Sequence, residues 1–405
     1  MQNRGYQVII LFTLAQLLIL LLFGYTPYPD SNGYIYLAKQ CMVHGEPYPV
    51  ASMLNSYPFL WNIGPVNAVV LSLKLFRSIV PLLIVYSLMK GLTLWFFWQI
   101  CRHIFNHERM AFIALVLYVV YPANYGESTS VQSELPFMFF TMTALWLCIN
   151  KKWFFAAGVI LAVANWFRPF SIVFLAALMV YYLFQWKRYA HLLAGYLLMI
   201  VIIGSLTYQR TGLFLYQAKT GWMALTDYST HHAESSMAVR DRNDWNVAQK
   251  DSAWKSLFID WLKEHPTEYV SQMPEKLVKT YVSDNVNMCA FIPKDKKRET
   301  MYDEISLPTL FASFPSYSAV QWLTIANLLV YLTLLLGSML SLFFFKRKTH
   351  LLSLSIIVLG TLMLLLVGHG EARFHIPFMP FMMILSAITI DIFKNKYKTK
   401  KNIVS

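Results

Sequence analysis

Ten apolar runs constrain this chain more than any other feature. They lie at about 8–25, 81–101, 110–122, 133–149, 153–167, 170–184, 189–207, 318–345, 349–367 and 374–393. A straight membrane span needs ~20 residues. Several runs fall short of that, and the short ones at 110–122 and 153–167 abut apolar neighbours that lengthen them. Only 14% of the residues are charged and 57% are hydrophobic, whereas a soluble domain carries about 25% charged residues. This much apolar side chain needs lipid as its solvent. The expected fold class is an all-α polytopic membrane protein with about 10 transmembrane helices.

The first run follows Met1-Gln2-Asn3-Arg4, and after it comes Phe23-Gly24-Tyr25-Thr26-Pro27, with no small-x-small cleavage site. It reads as an uncleaved membrane helix, not as a secretory signal.

Charge supplies the topology. The net charge is +13, but its location excludes a nucleic-acid surface. Fifteen basic residues sit in short polar breaks or the tail: Arg4; Arg102 and Arg109; Lys151 and Lys152; Lys187 and Arg188; Lys346, Arg347 and Lys348; Lys394, Lys396, Lys398, Lys400 and Lys401. Placing every such break in the cytoplasm lets ten spans alternate without conflict, with both termini inside. The stretch 57–76, opened by Tyr57-Pro58, breaks that alternation if counted as a span. It is therefore read as an amphipathic helix in the external interface, with Lys74 and Arg77 snorkelling.

Three regions follow. Residues 1–207 form an N-terminal transmembrane domain whose first external loop runs over 26–80. Residues 208–317 form an external helical cap. Residues 318–405 hold the last spans and a basic cytoplasmic tail. Within the cap, Trp254, Leu257, Phe258, Trp261 and Leu262 fall at helical spacing, as do Tyr269, Met273, Leu277 and Tyr281, with His265-Pro266 as the break. The charge-rich stretch 292–306 reads as a mobile loop. His231-His232 lacks a third metal ligand and reads as a surface pair. Cys41 and Cys289 share the external side, and their spacing leaves a disulfide open.

Outside the cap and the cytoplasmic clusters few charges remain. Asp30, Glu46, Glu127, Glu134 and Glu371 map to the external boundary, together with Arg168 and Arg373. Lys90 alone is central to a span and is given no role. Charges at a membrane boundary are costly to desolvate, so they are either paired or functional. The plain alternative for each is a structural ion pair or a helix cap. Asp30 lies just beyond the first span. Glu127 and Glu134 flank the second polar loop. Arg168 ends a span in Asn165-Trp166-Phe167-Arg168-Pro169. Gly368-His369-Gly370-Glu371-Ala372-Arg373-Phe374-His375-Ile376-Pro377 begins the last span, where prolines bend a helix and free its carbonyls. A guanidinium at this depth suits a phosphate or a carboxylate.

These motifs, in this order, resemble the GT-C glycosyltransferases that use polyprenyl-phosphate sugars, in particular the protein O-mannosyltransferase and aminoarabinose-transferase branch. The resemblance rests on Asp30 with an aromatic helix ending in Leu37-Ala38, Gly45 with Pro47-Tyr48, Tyr57-Pro58, Ser133-Glu134-Leu135, Arg168-Pro169, and Glu371-Ala372-Arg373-Phe374-His375-Ile376-Pro377 with Pro380. It covers about the first 190 residues and the last 60, and leaves the cap unmatched. The O-mannosyltransferases carry an Asp-Glu pair after the first span, where this chain has Asp30-Ser31.

The resemblance implies transfer of a sugar from a polyprenyl-phosphate donor to an acceptor hydroxyl of a glycan, lipid or protein, with inversion, on the external face. Asp30 would be the base. Arg168 and Arg373, with His369 or His375, would hold the donor phosphate, and Glu127 or Glu134 would orient the acceptor or a cation. Relatives differ in needing a divalent metal, and the motifs do not decide it. A glycan polymerase or ligase, and a lipid-linked sugar flippase or transporter, are the alternative classes. The first would depend on loop arginines more than on Asp30. The second would place polar residues through the span centres and show repeat symmetry; the chain shows only Lys90 at a span centre and no repeat. The absence of an Asn-x-Ser/Thr sequon points to a bacterial inner membrane, with the active site on its periplasmic face.

Overall fold

A computed structural model describes residues 2–150, 153–230, 233–297, 301–345, 347–368 and 370–404. Among them the secondary structure is helical, with one isolated β-bridge between Leu60 and Lys219.

Chain punctuation explains the first helices. Helix α1 (Gln2–Phe23) runs uninterrupted to Gly24, whose φ of +67° turns the chain. Helix α2 (Pro29–His44) starts with proline at its first position and stops at left-handed Gly45. Helix α3 (Ile63–Phe76) follows, and α4 (Val80–Phe105) again has proline in its first turn. Helix α5 (Glu108–Val119) is bent by 64° against the next segment, which carries the short α6 (Ala123–Gly126) and a 3₁₀ turn at Glu127–Thr129. Apolar helices α7 (Glu134–Ile149), α8 (Phe154–Phe167), α9 (Ser171–Tyr181) and α10 (Trp186–Thr211) follow.

The stretch 208–317, expected as a cap and called so below, carries α11 (Gly221–Ser229), α12 (Ala233–Arg240), α13 (Val247–Glu264), α14 (Pro266–Ser271), α15 (Met273–Tyr281), α16 (Met301–Glu304) and α17 (Leu307–Ala312). Asn246 and Gln249 form a capping box at the start of α13. Leu225, Phe258, Trp261 and Tyr269 make a small core of its own. The chain returns to the bundle as α18 (Ala319–Leu340), α19 (Arg347–Val367) and α20 (Met379–Val404).

Each of the ten apolar runs falls on a helix. Among the described residues six helices are long and apolar enough to cross a membrane, or up to seven if the bent pair counts as one span; α3, α7, α8 and α9 are apolar but shorter. The chain is thus a multi-pass membrane protein. Leu11, Leu14, Leu18 and Leu21 of α1 point outward, as a lipid-facing helix requires.

The structure adds contacts to two of these readings. The stretch 292–306 is tied down where it is described: Lys294 Nζ donates to Leu21 O at 3.2 Å, and Lys297 Nζ donates to Phe23 O at 3.0 Å and Thr26 Oγ1 at 2.8 Å. These lysines satisfy carbonyls that the end of α1 leaves without intrahelical partners. The cysteines are all free, and Cys41 and Cys289 are each buried. His231 and His232 lie outside the described residues.

Candidate active site

Asp30 sits in the first turn of α2, where the helix dipole favours a carboxylate. The backbone leading to it is pinned. Thr26 N donates to Thr129 O at 2.9 Å, the two threonine hydroxyls are 2.8 Å apart, and Tyr28 Oη donates to Val286 O at 2.7 Å. Ser31 is fully buried and its hydroxyl donates to Val131 O at 2.8 Å. A second carboxylate at that position would bring an acceptor against an acceptor. That accounts for the Asp-Ser pair in place of Asp-Glu. Asp30 itself keeps 26% of its side chain exposed.

Arg373 reaches it from the far end of the sequence. Its Nη1 donates to Asp30 Oδ2 at 2.5 Å, and its Nε lies 2.7 Å from Glu371 Oε1. The segment that carries it is a 3₁₀ helix, Ala372–Phe378, with Pro377 inside. Pro377 and Pro380 lack the N–H that a regular helix needs, so α20 starts only at Met379. Gly370 before it has φ +74°, and a Cβ there would lie 2.8 Å from Lys276 Cα. Only glycine lets this turn pack on the cap.

Arg168 forms the other side. It leaves α8 in an extended conformation ahead of Pro169. Its Nη1 donates to Glu134 Oε1 at 2.6 Å and to Ser133 Oγ at 3.1 Å, and that hydroxyl donates to Glu134 Oε2 at 3.0 Å. The guanidinium lies over the Phe374 ring, 5.5 Å from its centroid. Phe374 thus joins the Arg168–Glu134 pair to the segment bearing Arg373. The structure brings together Asp30, Glu134, Arg168 and Arg373, and adds Glu371.

Two candidates stand elsewhere. Glu127 is 1% exposed and forms a short ion pair with Lys90 Nζ, which also donates to Asn124 Oδ1 at 3.1 Å. The second polar loop, expected as an external loop, is buried from Glu127 to Glu134. Gly126 lets the cap close on it, since a Cβ there would lie 2.0 Å from Asn287 O. His375 is fully buried between Tyr281 and Tyr331, at centroid distances of 5.6 and 4.9 Å, with Nδ1 2.6 Å from Thr280 O. Its Nε2 faces Asp284 Oδ2 at 3.8 Å, and Tyr121 Oη donates to that same carboxylate oxygen. His369 lies outside the described residues.

The sequence reading missed Asp284 and the role of Phe374. The polar run Ser283-Asp284-Asn285-Val286-Asn287, directly after an amphipathic helix, was the available signal for the first. A single aromatic beside an arginine gives no comparable signal for the second. Among the described residues no group of three or more His, Cys, Asp or Glu side chains is placed to hold a metal ion.

No curated protein matches the chain. A family model does: residues 66–208 match that of the dolichyl-phosphate-mannose-protein mannosyltransferases. The match runs from within α3 to within α10 and includes Glu134 and Arg168, while Asp30 and Arg373 lie outside it. Together with the all-helical, multi-pass architecture, it supports a membrane glycosyltransferase of the GT-C kind that uses a polyprenyl-phosphate sugar donor.

Proposed function

We propose that the protein moves one sugar from a polyprenyl-phosphate donor to an acceptor hydroxyl, with inversion, and that Asp30 is the base. One observation carries this reading. An accessible carboxylate and an accessible guanidinium, 343 residues apart in sequence, meet at the end of the helix bundle beneath the cap. A structural ion pair gains nothing from that exposure, because an exposed pair contributes only about 0–1 kcal/mol. A reaction that needs a base beside a cation requires both groups to be reachable.

In the proposed step the acceptor oxygen attacks the anomeric carbon and its proton passes to Asp30. The bond from that carbon to the phosphate oxygen breaks, and the lipid phosphate leaves with the electron pair. Arg373 and Arg168 stabilise the growing charge. Glu134 holds Arg168 in place, and Phe374 spaces the two guanidiniums. A single displacement inverts the anomeric carbon. The acceptor is a glycan, lipid or protein hydroxyl. The membrane is a bacterial inner membrane with the site on its periplasmic side. The three regions 1–207, 208–317 and 318–405 act as scaffold, lid and closing helices.

The test is a sugar-transfer assay in membranes with Asp30→Asn. Loss of transfer with normal protein levels supports the assignment. Transfer at the parent rate would show that another group takes the proton.

A further inference from the structure

Helix α15 reaches lower than an external lid would. It lies against the cap end of α19, and its hydrogen bonds fix how far down. Tyr269 Oη, in α14 just before it, donates to Leu366 O. Tyr281, the last residue of α15, has its Oη 2.6 Å from Thr361 Oγ1. The Thr361 hydroxyl gives its own proton to Ile357 O at 2.7 Å, so the phenol is the donor. Tyr281 O accepts from Tyr331 Oη at 2.8 Å, and Asp284 O accepts from Asn327 Nδ2.

Helical rise turns these partners into depths. The apolar stretch of α19, His350–Val367, has 18 residues. That is about 27 Å, no longer than the ~30 Å hydrocarbon core it crosses, so it has no length to spare outside the lipid. Thr361 is six residues short of Val367, about 9 Å down. Asn327 is eight residues past Ala319, where α18 leaves the cap, about 12 Å down. The end of α15 thus sits beside the hydrocarbon core, not above it.

The outward side of α15 suits that depth. Leu277, Val278 and Val282 are exposed and share one side of the helix. They adjoin the outward stripe of α19, where Val358, Leu362 and Leu366 are exposed at i, i+4 and i+8. The ion pair of Glu275 with Lys279, 2.6 Å apart, lies on the flank, about a third of a turn away. Lys276 points inward, buried, with Nζ donating to Ser229 Oγ at 3.1 Å. An apolar side flanked by charge is the pattern of a helix lying in a membrane interface. We infer that α15 is such a helix: its outward side rests on the acyl chains of the bilayer, and the lower edge of the cap is itself a membrane contact. Its inner side backs the candidate site, since Thr280 O is 2.6 Å from His375 Nδ1 and Gly370 packs on Lys276 Cα. The segment bearing Arg373 is therefore divided from lipid on this side by a single helix. This placement needs only the multi-pass architecture, not the reaction proposed above.

The experiment measures collision of a nitroxide label with oxygen, which concentrates in hydrocarbon, and with a water-soluble nickel chelate, which does not. The full-length Val278→Cys protein is labelled and placed in vesicles of phosphatidylethanolamine and phosphatidylglycerol. The four native cysteines are buried, and the unsubstituted protein is the labelling blank. The label at 278 should collide more with oxygen than with nickel, as should one on Leu362→Cys in α19. A label on Lys263→Cys, at the exposed end of α13, should show the reverse order. Val282→Cys takes the place of Val278→Cys if that variant misfolds, with the same result expected. A label at 278 that favours nickel, as at 263, overturns the inference, because the cap then stands clear of the membrane. Weak collision with both reagents overturns it too, because a second protein surface then covers α15. If the label on Leu362→Cys also favours nickel, α19 does not face lipid and the placement of α15 falls with it.

Discussion

The molecule holds two acid–base pairs of opposite character under the cap. Lys90 and Glu127 are 6% and 1% exposed and are walled in by Asn124 and Tyr118. Arg373, Asp30 and Glu371 are 21%, 26% and 36% exposed. Sequence alone ranks these acids alike, since all map to one membrane boundary. Burial separates them. A sealed pair has already given up its water and can only hold structure. A partly exposed pair can still be reached by a ligand, so its energy is available for binding and reaction.

The same chemical change in the two pairs should separate them most sharply. Asp30→Asn is expected to lower transfer by roughly 10²–10⁴, the contribution of a positioned general base, with little change in unfolding temperature. Glu127→Gln should do the reverse. Removing one partner of a buried pair costs about 3–5 kcal/mol, read in detergent by thermal unfolding, while turnover per folded molecule is kept. The double variant Lys90→Met with Glu127→Leu should recover most of that loss. If Glu127→Gln abolishes turnover in protein that remains folded, the sealed pair is part of the reaction and the comparison fails.

A smaller contrast sets Arg168 against His375. The sequence reading gave both to the donor phosphate. Arg168 is 15% exposed and lies over Phe374. Arg168→Lys keeps the charge but loses the planar fork, so it should raise the donor KM about tenfold. His375 is packed between two tyrosines and bonded to the cap. His375→Ala should cost about 2–4 kcal/mol of stability from the cavity and the lost hydrogen bond, and leave the donor KM unchanged. A raised KM in folded His375→Ala would return it to the phosphate site.

The helices were legible because lipid imposes a simple rule: a long apolar run must satisfy its backbone internally. The aromatic helix after Asp30 was legible too, but its end was not: expected at Leu37-Ala38, it runs on to His44, where left-handed Gly45 stops it. Arg373 and Asp30 were legible as candidates because polar residues are scarce at the membrane boundary. What stayed hidden was pairing. Nothing in the order of residues tells Glu127 that Lys90 waits one span earlier, or tells His375 that Asp284 arrives from the cap. The loop at 121–134 looked external because it is polar. It is buried because α1 and the turn after it, α4 and the segment after α15 supply partners for its polar groups: Gln16, Thr26, Lys90 and Asp284. Long-range contacts decide burial, and a single sequence does not contain them.

The gentlest test concerns a half-buried cation that faces hydroxyl and carbonyl oxygens where Lys90 faces an acid. Lys297 clamps the end of α1 through Phe23 O and Thr26 Oγ1. Burial pushes its ammonium down from the ordinary 10.5 to about 8. In the unfolded chain it keeps the ordinary value. Below about 8 both states hold the proton, and the penalty for burying the charge is felt in full. Between about 8 and about 10.4 the unfolded chain binds more protons than the folded one, so stability should rise with pH across that window. Lys276, which burial also pushes to about 8, contributes a rise of the same sign. The readout is therefore a difference: unfolding temperature from pH 7 to 10 for the parent minus that for Lys297→Met. The parent should gain on the variant as pH rises. A flat difference would mean that water reaches Lys297 in the folded state, and that the cap is looser over α1 than over the sealed pair at Lys90.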